Sequence, residues 1–177
     1  MIEWQQPGLK IGMHLEKIFD SIGEKLFNYL TIKLSSPLDA EDVLQEVFCR
    51  LARYRVRFRF IQNPSAYVFR VARNEAIRFL KNRKTNTKRY HSAEELSEVI
   101  QDNLTGLDNE ALNQTAKALA QIPEEQREVI VLKFFEELTF KEIASVCGIS
   151  INTTTSRFRY GIKKLRILLE GQHEGSG

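Results

Sequence analysis

The side chains with the clearest potential for chemistry lie between residues 50 and 89, where 13 basic residues stand against one acidic residue. Aromatic side chains alternate with these cations, at Tyr54, Phe58, Phe60, Tyr67 and Phe69. Guanidinium and ammonium groups bind phosphates, and aromatic rings stack on unpaired bases. A solvated surface is the ordinary alternative for a run of charge, but the interleaved rings favour a nucleic-acid surface.

The helix that carries the second half of this block is predicted to begin at Asn63 and Pro64 and to run to about Lys84. Its apolar side would carry Val68, Ala72, Ala76 and Phe79. Side chains at i, i+3, i+4, i+7 and i+11 lie on one side of a helix. In this helix a second set with that spacing lies opposite the apolar side. We call this second set the basic rail: Arg70, Arg73, Asn74, Ile77 and Lys81.

Residues 55–60, with the sequence RVRFRF, alternate strictly between basic and apolar side chains. That period is typical of a half-buried strand. Because no second candidate strand lies nearby, we favour an irregular loop that presents arginines and rings to DNA.

An acidic face is predicted on the preceding helix, over residues 39–54. Ser36 would cap this helix and Pro37 would take its first position. Its apolar stripe comprises Ala40, Val43, Leu44, Val47, Phe48 and Leu51, and its other face comprises Asp42, Gln45, Glu46 and Arg50. This polar face is either solvated or bound to a basic partner surface, and the sequence leaves both open.

A helix, a glycine-containing turn and a second helix are predicted from residue 139 onward. Thr139 and Glu142 have the spacing of a capping box, Gly148 suits a left-handed helix end, and Ser150 can cap the second helix. This is the arrangement of a helix-turn-helix, although an ordinary helical hairpin has the same outline.

The second helix of this pair is predicted to bury Ile151, Thr154, Phe158, Ile162, Leu165 and Leu169. Its other side carries Asn152, Ser156, Arg159, Tyr160 and Lys163, with Thr153 and Thr155 at the margins. Asparagine can pair with adenine, arginine with guanine, and serine or threonine with bases or phosphates.

The remaining elements are also predicted to be helical, so the fold class is all-α. Helices are expected over 15–34 and from Pro123 onward, with two short helical pieces around 93–101 and 107–121 inside or beside a polar linker. Two cysteines and three scattered histidines exclude a disulfide framework and a Cys₄ zinc site. Cys49 and Cys147 are expected to be packed thiols.

Several protein classes lack their sequence signatures here. Phosphate loops, nucleophile elbows and zinc-protease motifs are absent from the sequence. No apolar run approaches the roughly 18 residues of a membrane span, and the N-terminus has no signal-peptide layout. These features indicate a soluble, cytoplasmic protein that is not an enzyme.

At this point the sequence resembles the bacterial RNA polymerase sigma factors. DAEDVLQEVFCRLARY (39–54) with NPSAYVFRVARNEAIRFLKNRK (63–84) is similar to region two, and IPEEQREVIVLKFFEELTFKEIASVCGISINTTTSRFRYGIKKLR (122–166) is similar to region four. Two such regions without a third between them are the layout of the extracytoplasmic-function (ECF) group. The resemblance implies two small helical domains joined by a flexible linker, at 10–90, 91–111 and 112–170.

The resemblance also implies roles for individual residues. It places polymerase docking, on the clamp helices of the largest subunit, at Asp39, Asp42, Gln45 and Glu46. It places recognition and opening of the −10 element at Arg57, Arg59, Asn63, Tyr67, Arg70, Arg73, Asn74, Ile77 and Arg78. It places reading of the −35 element at Asn152, Thr153, Thr155, Ser156, Arg157, Arg159 and Lys163.

The implied function is promoter-specific initiation of transcription, with strand opening and no catalysis. The implied partners are core RNA polymerase, through its clamp helices and the flap of its second-largest subunit, promoter DNA and an anti-sigma factor. No cofactor or metal is expected. Residues 151–155 depart from the acid, small residue, Thr, Val and Lys common in the family, so the −35 sequence does not transfer.

Two other functions fit parts of the same sequence. A DNA-binding regulator could use the helix-turn-helix without joining polymerase, but it would have no use for the acidic helix. A nucleic-acid-modifying enzyme could use a basic groove, but no metal or nucleophile constellation is evident.

Overall fold

The computed structural model describes residues 22–53, 61–86, 92–103 and 109–174, and these form eight helices with no strand in the described ranges. They are α1 (22–34), α2 (Pro37–Arg53), α3 (Pro64–Asn86), α4 (Ala93–Asn103), α5 (Asn109–Ala120), α6 (Glu124–Phe134), α7 (Phe140–Cys147) and α8 (Ile151–Glu174). The predicted loop over 55–60, with Arg57 and Arg59, lies outside the described residues, as does Tyr54.

The predicted helix starts are confirmed by side-chain caps. Ser36 Oγ accepts a hydrogen bond from the Asp39 amide (3.2 Å), and Asn63 Oδ1 accepts one from the Ala66 amide (2.9 Å). Each cap satisfies a backbone N–H that has no partner within the first turn of its helix. Local sequence therefore determines where α2 and α3 begin.

The helix-turn-helix has the predicted local geometry. Thr139 and Glu142 form a reciprocal capping box, and Gly148 ends α7 with φ of 67°. Only glycine adopts that left-handed conformation without steric cost. Ser150 Oγ then accepts a hydrogen bond from the Thr153 amide at 3.0 Å, which starts α8.

Helices α1, α2 and α3 pack together, and we call them the N-terminal module. The apolar stripe of α2 buries Val47 completely, and α3 contributes the buried Phe69. The Phe69 ring meets the Tyr29 ring edge-on, with centroids 5.6 Å apart. Burial of such a side chain contributes about 1.5–3 kcal/mol, so the apolar side of α3 is held inward and its polar side faces away.

Helices α5 to α8 form what we call the C-terminal module. Helix α6 crosses α8 closely at Gly161, where a Cβ atom would lie 2.8 Å from Ile130 Cδ1. Phe158 of α8 contacts the Phe140 ring, with centroids 5.2 Å apart. The Arg127 guanidinium donates to the Ala120 and Ile122 carbonyls at the end of α5 (3.2 and 3.0 Å), which satisfies carbonyls that the helix leaves unpaired.

The segment predicted as a linker is partly helical. Both short helical pieces that the sequence predicts are present, as α4 and α5. Leu96 and Ile100 lie one turn apart on α4 and are buried, and α4 packs against α5. This apolar i, i+4 pair gives α4 a reason to fold that the polar composition around it does not reveal.

Two expectations about burial are wrong. Ile151, predicted on the buried side of α8, is 48% exposed. It is the first residue of α8, and Thr154 in the same turn takes the buried position, with its hydroxyl bonded to the Ser150 carbonyl (3.0 Å). Cys49, predicted to be packed, is exposed, whereas Cys147 is buried, because Cys49 lies off the apolar stripe of α2.

The N-terminal and C-terminal modules touch, because α3 packs against α7. The α6–α7 turn passes through Glu137, whose φ of 56° is in the left-handed region. Within the described ranges, no helix has the length and apolar character needed to cross a membrane.

Candidate nucleic-acid and partner interfaces

The acidic face of α2 is open to solvent. Asp42, Gln45 and Glu46 are exposed, and Asp39 is partly buried in the first turn of the helix. The exposed side chains follow from the stripe pattern, since Ala40 and Val47 turn the opposite side inward. The face therefore presents carboxylates that a basic surface could contact.

The basic rail lies along α3 as predicted, and most of it faces outward. Arg70, Asn74 and Lys81 are exposed, and Ile77 is partly buried. The Arg70 guanidinium lies over the Tyr67 ring, 5.3 Å from its centroid. A cation held beside an aromatic ring is an arrangement that binds phosphates and stacks bases.

Glu75 was not predicted and lies beneath this surface. Its side chain is 5% exposed, and it forms ion pairs with Arg50 of α2 and with Arg78 (3.3 Å). It joins α2 to α3 by charge and holds Arg78 beside the rail. Its one sequence signal is that it is the single acid among the 13 basic residues of 50–89.

One rail residue, Arg73, does not face solvent, because it belongs to a buried cluster around Glu128. The Glu128 carboxylate accepts hydrogen bonds from Tyr29 Oη (2.8 Å) and Arg73 Nε (3.0 Å) and forms an ion pair with Lys33 Nζ (2.9 Å). The Glu128 side chain is 4% exposed. We call these four residues the Glu128 cluster.

The Glu128 cluster changes the acidity of its members. Burial alone would raise the pKa of Glu128, but Lys33 and Arg73 outweigh burial and lower it. Burial works to lower the pKa of Arg73, and the Glu128 carboxylate reverses this and raises it. Burial, followed by the Glu128 charge, raises the pKa of Tyr29. The cluster therefore holds an ionised carboxylate between two cations and a neutral phenol.

The Glu128 cluster is the centre of a wider set of contacts between the modules. Four ion pairs among the described residues cross this boundary, and each has its cation in the N-terminal module and its acid in the C-terminal module. They are Lys25–Glu137 (3.2 Å), Lys33–Glu124 (2.7 Å), Lys33–Glu128 and Arg73–Glu128. Two hydrogen bonds between described residues also cross the boundary, from Tyr29 Oη to Glu128 (2.8 Å) and from the Asn63 amide to the Glu142 carboxylate.

The first turn of α8 carries some of the residues that the family resemblance assigns to −35 reading. Asn152 and Thr153 are exposed. The three threonine hydroxyls here have intramolecular partners: Thr153 Oγ1 lies 2.8 Å from Ser150 Oγ, Thr154 Oγ1 donates to the Ser150 carbonyl (3.0 Å) and Thr155 Oγ1 donates to the Asn152 carbonyl (3.0 Å). Asn152 therefore presents an exposed side-chain amide that a base edge could contact.

The next turns of α8 contain its cations. Arg157 forms an ion pair with Glu125 of α6 (2.5 Å), which lies in the same module. Arg159 is exposed and lies over the Tyr160 ring, 5.3 Å from its centroid. Lys163 is exposed and Ser156 is partly buried. Arg159 and Lys163 lie on the side of α8 that also carries Asn152, seven and eleven residues further along.

Comparison with protein families matches the chain twice. Residues 18–86 match the model for sigma-70 region 2, and residues 112–165 match the model for sigma-70 region 4. The first match contains the acidic face of α2 and the basic rail, and the second contains the helix-turn-helix.

Known proteins resemble the chain over most of its length. The sigma factor SigZ of Bacillus subtilis is 29% identical over 90% of this chain and 89% of its own length. The ECF sigma factor SigW of Bacillus subtilis is 27% identical over 84% and 85%, and ECF SigL of Mycobacterium tuberculosis is 27% identical over 88% and 89%.

Two solved structures share the fold. The sigma factor RpoE of Bartonella quintana, in complex with the anti-sigma factor NepR, has a TM-score of 0.69 at 22% identity, covering 88% of this chain and 96% of that one. CnrH, in complex with the cytosolic domain of CnrY, has a TM-score of 0.59 at 21% identity and covers 89% and 88%.

Proposed function

Because the chain belongs to the sigma-70 family, in its extracytoplasmic-function group, we propose that its two modules divide the work of promoter-specific initiation between them. The chain binds core RNA polymerase and directs transcription from promoters with −35 and −10 elements. The observation that carries this function is the presence of regions 2 and 4, in that order, on one chain.

Polymerase docking is proposed for the acidic face of α2. Asp42, Gln45 and Glu46 are exposed on one rigid helix whose other side is buried. The backbone of such a helix loses little freedom when a partner binds, so the contact is partly preorganised. We place this contact on the clamp helices of the largest subunit, and we expect α8 and its neighbours to meet the flap of the second-largest subunit.

Recognition and opening of the −10 element are proposed for α3 and for the segment before it. Arg70 and Tyr67 form a cation and ring pair on the outer side of α3, and Asn74 follows one turn later. Cations hold the phosphates of a displaced strand, and rings or amides capture its bases. Arg57 and Arg59 belong to the same proposal on their sequence alone.

Reading of the −35 element is proposed for the first turns of α8. A recognition helix contacts base edges with its N-terminal residues, and Asn152 and Thr153 are exposed there. Arg159 and Lys163 lie further along and suit phosphate contacts that fix the register. Promoter sequence is therefore set by few side chains, of which Asn152 is the first.

The same proposal covers partners and location. Both solved neighbours were captured with a second protein, NepR for RpoE and the cytosolic domain of CnrY for CnrH. We expect this chain to bind an anti-sigma factor as well. It would act in the cytoplasm, as a subunit without a cofactor and without catalysis of its own.

Run-off transcription tests the function directly. Core polymerase is supplied with this chain and a library of random promoters, and the start sites are sequenced. We expect selected start sites preceded by two conserved elements. Random start sites, with no binding of the chain to core polymerase in a pull-down, would contradict the function and favour a regulator that acts alone.

Charge reversal tests the docking face. Asp42→Lys with Glu46→Lys should lower affinity for core polymerase more than 100-fold, about 3 kcal/mol, because two like charges replace two attractive ones. Glu98→Lys with Asp102→Lys is the matched control, since these exposed acids have the same i, i+4 spacing on α4. Equal loss in both variants would show that net charge, and not this face, controls binding.

A further inference from the structure

The contact between the modules covers part of the surface proposed to open DNA. Arg73 belongs to the basic rail, and Asn63 caps the helix that carries it. The Arg73 guanidinium donates to Glu128 through Nε (3.0 Å) and through a second nitrogen (3.3 Å), and the Asn63 amide contacts Glu142. Carboxylates of the C-terminal module thus occupy donors that would otherwise meet DNA phosphates or bases.

The space left beside the Asn63–Glu142 contact is small. A cleft of about 420 Å³ separates α3 from α7 and is lined by Tyr67, Arg70, Lys141 and Ser145. A volume of this size accommodates a single small molecule, not a strand of nucleic acid that follows α3. The rail is therefore incompletely accessible while the modules touch.

We call the arrangement in which the two modules touch the closed arrangement. The distance between its DNA-binding helices is too short to span both elements of a promoter. Two elements separated by more than one turn of DNA are at least about 34 Å apart. In the closed arrangement α3 packs directly against α7, the first helix of the helix-turn-helix. The two modules must therefore separate before both elements are bound.

The chemistry at the centre of the contact suits a reversible closure. Lys33 and Glu128 have side chains only 6% and 4% exposed, so closing removes water from charged groups. The attraction between such buried charges roughly offsets the cost of removing that water. Closure is specific, because three donors converge on one carboxylate. It is not permanent, because the net gain in free energy is small.

We propose that the Glu128 cluster is an intramolecular lock, in which Glu128 takes the place of nucleic acid on Arg73 and holds the chain closed until DNA or polymerase separates the modules. This inference rests on the proposed role of α3 at the −10 element. It assigns the lock to this chain alone, so that closure requires no second protein.

The test compares the whole chain with Glu128→Gln and Lys33→Gln. The first variant removes the acceptor charge, and the second weakens the cluster from the opposite module without changing Arg73. Glu170→Gln is the matched control, because Glu170 is exposed and pairs with Arg166 of its own helix at 4.0 Å. Near-ultraviolet circular dichroism shows which variants retain the native packing, and Lys33→Gln carries the test if Glu128→Gln does not fold.

Two measurements are made without polymerase. Small-angle scattering should give a radius of gyration near 16 Å for a compact chain of this length, rising toward roughly 20 Å as modules separate by one DNA turn. Fluorescence anisotropy with a labelled single-stranded 20-mer of mixed sequence should show roughly three- to tenfold tighter binding for both variants. The control should match the wild-type chain in both measurements.

Each outcome bears on the lock. Folded variants that stay as compact as the wild type overturn it, and so does opening without tighter binding of the single strand. Failure of the wild-type chain to direct transcription from core polymerase would instead count against the proposed function. In that case the scattering and anisotropy results would still show whether Glu128 controls access to α3.

Discussion

The two surfaces proposed to contact DNA are built in different ways. On α8, the helix start is defined by Ser150 and Thr153, three residues apart, and Arg157 is held by Glu125 of the same module. On α3, Arg73 is held by Glu128, 55 positions away, in the other module. The −35 surface is therefore complete within its module, whereas the −10 surface depends on where the other module lies.

This difference has a consequence for regulation. A surface that is fixed by its own helix caps stays available whenever its module is folded. A surface whose arginine is shared with another module is fully available only when the two modules separate. Control of initiation by closure would then act on strand opening more than on the first contact with duplex DNA.

The largest effect is expected at Glu75, which supports the −10 surface from below. Glu75→Ala should destabilise the chain by about 3 kcal/mol, because it removes a buried carboxylate paired with Arg50 and Arg78. Urea unfolding followed by circular dichroism measures the change.

The control for Glu75 is an exposed pair in the other module. Glu170→Ala breaks its contact with Arg166 at 4.0 Å, and exposed pairs contribute about 0–1 kcal/mol. Similar midpoints for the two variants would mean that Glu75 does not hold α2 to α3.

A second prediction separates the two surfaces by what they recognise. Asn152→Ala should lower discrimination at one base pair of the −35 element by roughly 1–3 kcal/mol, since an amide reads a base edge. Arg70→Ala should weaken binding of all sequences and reduce the salt slope by about 1, as expected for a phosphate contact.

Competition binding on duplexes and single strands of varied sequence and salt concentration measures both effects. Arg70→Lys keeps the charge and should retain most of the salt slope. A uniform loss for Asn152→Ala would assign it a positioning role, and a sequence-dependent loss for Arg70→Ala would assign it base contacts.

A third prediction concerns pH and the turn between α6 and α7. Burial, with the Glu137 charge adding to it, raises the pKa of Glu136 to about 8 despite the opposing Lys25. Glu136 is thus protonated in the folded chain but ionised above about pH 4.5 when unfolded. Its contribution to stability is full below pH 4.5 and is lost as the pH rises through 8.

Glu136→Gln should therefore raise stability at pH 7.5, where the wild-type chain must take up a proton to fold, and change it little at pH 4. Thermal unfolding at both pH values measures the difference. Glu137→Gln is the neighbouring control, because the Glu137 side chain is 80% exposed and its ion pair with Lys25 is a surface contact. A wild-type chain whose stability is flat between pH 5 and 8 would contradict the assignment.

The sequence predicts what is local and misses what is distant. Asn63, Thr139, Gly148 and Ser150 each act within a few residues, and their roles at helix ends follow from residue type. The side of α3 that carries Val68 and Ala72 follows from periodicity. These features account for the eight helices as far as they are described and for the exposed faces of α2, α3 and α8.

The Glu128 cluster could not be predicted, because its members are separated by up to 99 positions and none is unusual in its local sequence. A glutamate in the first half of a helix is ordinary, and the sequence does not show that Tyr29 and Arg73 converge on it. The sequence likewise predicts that α4 forms within the linker, but it does not predict that α4 is buried against α5. Long-range charge pairing is decided by packing and not by pattern.

The smallest effect is expected at the cap that starts the helix-turn-helix. Thr139→Ala should cost about 1 kcal/mol, because it removes the acceptor of the Glu142 amide (3.3 Å), whereas Thr139→Ser should cost less because it keeps the hydroxyl. Urea midpoints of the two variants measure this difference. Glu142 also contacts Asn63 across the modules, so a loss well above 1 kcal/mol for Thr139→Ala would show that the local cap and the closure are coupled. A loss near 1 kcal/mol, with the radius of gyration unchanged, would show that the C-terminal module is built independently of its contact with the −10 surface.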